Sequence, residues 1–135
     1  MPYSHRWERY VVIKTFVGHV SGEDFVRSAR EVAEAPEFDS LQFIINDFRL
    51  CTGHSIDPKA LEEIAVIRFG ALPTNPNIRV LVVSTDSRFA ELAAATRRPP
   101  LDGSQETCAF PSIEAALGWM AEQPILQGPR AFRAR

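Results

Sequence analysis

Apolar and polar positions alternate along this chain in blocks of two periods. Residues 10–17, YVVIKTFV, are rich in β-branched and aromatic types and predict a strand. The preceding PYSHRW is a weaker strand candidate, suited to a sheet edge. Gly18 and Gly22 bracket a predicted turn in GHVSGEDF, where Ser21 and Asp24 approximate a capping box. Phe25, Ala29, Val32 and Ala33 then recur at helical spacing, and Pro36 stops that helix.

Leu41 to Asp47 contains FII, apolar on both faces, as expected of a central buried strand. A short loop is expected after Asp47. Asp57 is a good N-cap and Pro58 suits a first helical turn, so a second helix is expected to about Phe69, burying Leu61, Ile64 and Ala65. After the breaker-rich ALPTNPN, Ile78 to Val83 reads as another buried strand. STDS caps a third helix with Phe89, Leu92 and Ala93 inward. RRPPLDGS is a loop, Gln105 to Phe110 a last strand, and Ser112 opens a fourth helix with Ile113, Ala116, Leu117 and Met120 on one stripe.

The order is β-β-α-β-α-β-α-β-α. It predicts an α/β fold: a four- to five-stranded mixed sheet with about four helices, mostly parallel, the first one or two strands able to run antiparallel. The length of 135 residues suits one domain, placed at 1–123, with 124–135 as a C-terminal tail or arm.

Composition narrows the function classes. With 45% apolar and 24% charged residues the chain is ordinary for a soluble globular protein. A net charge of −2 argues against nucleic-acid binding through bulk charge. No apolar run approaches a transmembrane segment, and the polar, aromatic N-terminus does not read as a secretory signal. Cys51 and Cys108 read as thiols of a reducing cytosol, so a cytoplasmic location is expected. Basic residues are nearly all Arg, Lys14 and Lys59 being the lysines, and Arg130, Arg133 and Arg135 on the tail read as solvated.

Candidate chemistry concentrates in NDFRLCTGHSID. Between Asp47 and Asp57 lie Arg49, Cys51, Thr52, His54 and Ser55. Asp47, Cys51 and His54 have the residue types of a nucleophilic set, but no oxyanion-hole signature accompanies them. With His19 they could offer metal ligands, yet no pair has a recognised ligand spacing. Asp47 at a strand end is reminiscent of a phosphoacceptor, but the acidic pair and terminal Lys that such a site needs are missing. GHVSG is neither a P-loop nor a dinucleotide fingerprint, and no cofactor is called for. A hydroxyl at Thr52 or Ser55 lies near a helix start, where Asp57 already supplies negative charge. Eight large rings, Phe16 and Phe89 among them, read mainly as core. A loosely packed second helix would open a ligand cavity against the sheet.

The stretches VVIKTFVGHVSGEDF, FIINDFR and FPSIEAALGWM resemble the STAS superfamily, the fold of bacterial anti-sigma-factor antagonists, and within it the SpoIIAA-like proteins. The resemblance implies a strand, glycine turn and helix; a strand ending in Asp; and a last strand running into an Ala-Leu-x-Trp helix. In the phospho-regulated members a Ser at the helix start is modified and partner binding is broken. This chain has Ser55-Ile56-Asp57-Pro58 there, without the usual Asp-Ser pair. The expectation is a non-enzymatic regulatory module that binds a protein partner through residues 47–58, with a homodimer compatible. The alternative is a carrier of a small, lipid-like hydrophobic ligand associated with a membrane; a cysteine-dependent enzyme comes third.

Overall fold

The computed structural model describes residues 2–96 and 107–125. One five-stranded sheet has the order β1-β2-β3-β4-β5, from β1 (Tyr3–Glu8), β2 (Val11–Ser21), β3 (Phe43–Ser55), β4 (Arg79–Val83) and β5 (Thr107–Phe110). β1 runs antiparallel to β2 on the sheet edge, and the other pairings are parallel. The helices are α1 (Gly22–Glu34), α2 (Pro58–Ala71), α3 (Ser87–Thr96) and α4 (Ile113–Ala121). A 3-10 turn at Pro36–Ser40, not foreseen from the sequence, links α1 to β3. The mixed α/β architecture is the one the sequence implies. Gln105, Glu106, the RRPPLDGS loop and the tail beyond Ile125 lie outside the described residues.

Because the parallel strands follow one another across the sheet, right-handed crossovers put their helices on one face. Phe16, Phe48 and Val82 accordingly pack against Phe25 and Val26 of α1, Ile64 of α2, and Phe89 and Leu92 of α3. Ring contacts run from Tyr3 through Phe16 and Phe48 to Phe89, the last pair stacked at 4.5 Å. α4 covers the opposite face, where Ala116, Ile113 and Trp119 meet Ile13, Phe43, Ile45 and Leu81.

The helix starts follow the capping chemistry. Ser21, Asp57 and Ser112 each accept a backbone N–H three residues on, from Asp24, Ala60 and Ala115. Arg79 is buried at the start of β4, and its guanidinium donates to the Gln42 side chain and the Pro124 carbonyl while stacking 4.3 Å from the Phe43 ring.

Two expectations are corrected. Strand β3 does not end at Asp47; the anticipated loop is strand as far as Ser55. Likewise the turn expected at GHVSG is the end of β2, which continues to Ser21. Each extension pairs with the other, from Val17–Leu50 to Ser21–Ser55, while β4 stops opposite Asp47. Two register shifts interrupt this ladder, between Thr15 and Val17 and between Gly18 and His19. Such bulges blur the alternation that marks a strand in sequence, so polar residues here read as loop.

Gly18 sits at the second irregularity with φ +75°, the left-handed region that side chains disfavour. A Cβ there would meet nothing within 4 Å, so strain alone decides a substitution. Gly18→Ala is expected to cost about 1 kcal/mol, read as a lower urea midpoint at unchanged m-value. An unchanged midpoint would show that this bulge relaxes freely.

Candidate functional site

The extended pair β2–β3 carries the residues singled out between Asp47 and Asp57. Asp47 is buried at the last β3 position paired with β4 and receives Arg49 three times: Nε and Nη2 donate at 3.0 Å each and the backbone N–H at 3.1 Å. Both carboxylate oxygens are thereby committed to a neighbour on the same strand. His54 accepts the Ile56 N–H on Nδ1 at 3.0 Å, and its ring centroid lies 5.2 Å from that of Phe89. His19 and Ser55 are joined across the strands at 3.1 Å.

Cys51 is partly buried against the aromatic core, and burial followed by the Asp47 charge pushes its thiol up to about 11. A nucleophilic cysteine needs the opposite environment, a nearby cation or base that favours the thiolate. The hydrogen bonds do not link Asp47 to His54 or His54 to Cys51; they run to Arg49 and to backbone instead. Among the described residues no three His, Cys, Asp or Glu side chains converge as metal ligands.

Thr52 and Ser55 are exposed, and Ser55 lies two residues before the Asp57 cap of α2. Arg88 of α3 lies over this strand and donates from Nη2 to the Thr52 carbonyl at 3.0 Å. Gly53 leaves room for it, since a Cβ there would come within 3.0 Å of Arg88 Nη1. Arg88 also holds Asp86 by a charged pair that draws the Asp86 carboxyl down to about 2. Beside these polar groups the ribbon shows two large apolar side chains, Val17 at 51% and Leu50 at 61% exposure, which are register partners.

A second constellation lies where a cavity between the second helix and the sheet was expected, but its polar residues were not singled out from the sequence. Lys14 and Asn46 are register partners on β2 and β3 and point to the face covered by α1 and α2. They form the floor of a cleft of about 80 Å³, partly open to solvent, with Phe25, Ala29, Ile64 and Ile67 among its walls. The ammonium of Lys14 lies 5.6 and 5.3 Å from the Phe16 and Phe25 ring centroids. Burial pushes it down to about 7, partly opposed by Glu31. Around it, Tyr3 donates to Glu31 at 2.7 Å, His5 pairs with the buried Ser28 at 2.8 Å, and burial followed by the Lys14 charge lowers His5. The Oδ1 of Asn46 is buried without a hydrogen-bond partner among the described residues. The signal was present in the sequence: Lys14 shares strand parity with Val12 and Phe16, and Asn46 with Ile44 and Phe48.

No protein-family model matches the chain, and neither does any curated protein. Solved structures do. The anti-sigma factor antagonist SpoIIAA in its unphosphorylated form superposes with a TM-score of 0.58 at 10% identity, over 90% of this chain and 99% of that one. The Bacillus cell fate determinant SpoIIAA in its phosphorylated form gives 0.55 at 10% identity, over 87% of this chain and 98% of that one. An uncharacterized DUF3478-family protein with a SpoIIAA-like fold from Shewanella loihica gives 0.50 at 13% identity, over 87% and 90%. The chain therefore has the STAS, SpoIIAA-like fold.

Lys14 has a measurable signature. Its amine is at about 7 when folded against 10.5 as a free side chain, so above pH 7 the unfolded chain holds the extra proton. Stability then rises with pH by roughly 1 kcal/mol per unit between about pH 7 and 8.5, and the full cost remains below that window. Above it Cys51 and Tyr3, pushed up to about 11 and about 12, act in the opposite sense. Lys14→Met is expected to raise stability at pH 7 by a few kcal/mol, and to flatten this slope in urea titrations. A wild-type slope of zero would show that Lys14 is charged in the folded state.

Proposed function

We propose that the chain is a non-enzymatic regulatory module, 1–123 acting as one unit with 124–135 as an arm, that binds a protein partner through the β2–β3 ribbon and the start of α2, residues 47–58. The observation that carries this reading is the exposed Val17–Leu50 pair at the base of a two-stranded extension that also bears Arg49, Thr52 and Ser55 and leads to Asp57. Exposed apolar groups on a strand that also carries polar ones suit a recognition patch. The fold shared with an anti-sigma factor antagonist supports it, and a thiol held up to about 11 weighs against cysteine catalysis. The module works in a reducing cytosol, and Asp57 supplies at the α2 start the negative charge that a phosphoserine would otherwise bring.

The lined cleft under α1 and α2 favours a second reading, that the same fold carries a small hydrophobic ligand. The two readings use different surfaces and are compatible.

The interaction reading is tested by affinity capture with quantitative mass spectrometry. Leu50→Asp is expected to lose the captured partner at least tenfold, while Cys51→Ala retains it. Because Leu50 is exposed, its replacement is expected to leave stability within about 0.5 kcal/mol. Equal capture by Leu50→Asp and wild type, or no specific capture by wild type, would remove the proposal.

A further inference from the structure

The cleft between α1 and α2 is lined mostly by apolar side chains, with Lys14, Asn46, Arg68 and Asn75 as its polar members. Phe25, Ala29, Val32, Ile64 and Ile67 are apolar, and Lys14 and Asn46 stand beneath them. Of the residues lining it, Lys14 and Arg68 carry positive charge and none is acidic. No salt bridge among the described residues engages Lys14; Glu31 acts on it only at longer range. A buried ammonium without a close counter-charge is costly, and an anion brought beside it lowers that cost. The Asn46 amide is set next to Lys14 by strand register; its unpartnered oxygen accepts and does not donate, so a carboxylate is met by Lys14 and not by that oxygen.

We infer that this cleft binds an aliphatic monocarboxylate, its carboxylate meeting Lys14 on the floor and its hydrocarbon body filling the space between the two helices. A volume of about 80 Å³ admits several methylene-sized groups, which suits a short chain or the head end of a longer one. The inference rests on the carrier reading above and specifies its ligand.

Binding is coupled to a proton. The amine is half neutral near pH 7, and a carboxylate on the floor holds it as the ammonium. The other groups facing Lys14 are His5 from β1, Glu31 from α1 and, at the cleft lining, Arg68 from α2. Lys14, pushed down to about 7, changes charge between pH 7 and 8.5. Affinity for the acid therefore falls with rising pH, approaching tenfold per unit.

Calorimetric titration of the full chain with hexanoate and with 1-hexanol tests this. At pH 7 hexanoate is expected to bind at least tenfold tighter than hexanol, and to weaken towards pH 8.5 while hexanol does not. Lys14→Met, the more stable variant, is expected to abolish the preference for the acid and retain hexanol. Equal affinity for the two ligands, or a hexanoate affinity unmoved by pH or by Lys14→Met, overturns the carboxylate assignment and leaves the carrier reading standing. If neither ligand binds the wild type, both fall.

Discussion

The parallel ladder between β2 and β3 is the constraint on which the rest of this molecule depends. It runs from Val11–Phe43 to Ser21–Ser55, well past the point where β4 ends. Its lower part makes the centre of the sheet. Its upper part projects as a ribbon that α3 supports through Phe89 and Arg88. A change of register would alter both candidate surfaces together, because side-chain direction in a strand follows the count of residues. The bulges shift that count within the ribbon and leave the central pairs untouched.

That register also explains why polar groups are buried. Lys14 faces Asn46 across the ladder on the side where helices must pack, and β1 brings His5 opposite Lys14. Stability would favour an apolar residue at each of these positions. Retaining an ammonium under two helices costs on the order of a few kcal/mol, and folds give up stability of this kind where a site needs a poised charge. The aromatic series from Tyr3 to Phe89 lies beside the cluster and supplies much of the compensating burial. The ribbon and the cleft thus draw on one sheet, at its projecting end and at its covered centre.

The STAS, SpoIIAA-like likeness gives the architecture and leaves function to the sites, since one fold serves many activities. Between the two candidate surfaces, chemistry differs. Asp47 and Arg49 pair with each other, burial holds the Cys51 thiol up to about 11, and His54 Nδ1 accepts from the backbone. The cleft holds Lys14, whose amine burial pushes down to about 7.

Local sequence determined a great deal. Caps at Ser21, Asp57 and Ser112, the stop at Pro36 and the apolar runs of β2, β3 and β4 are set by short-range backbone hydrogen bonding and side-chain periodicity, which neighbours along the chain suffice to specify. So the order of elements was legible, and with it the fold. The candidate loop after Asp47 was not, because a strand of polar residues is held by its partner's backbone, here Val17 to Ser21, which no local pattern encodes. The meaning of Lys14 was hidden for a related reason. Its parity with Val12 and Phe16 put it on the inner face, but only the packing of α1 and α2 over that face turned a lysine within a strand into a desolvated amine beside an unpartnered amide.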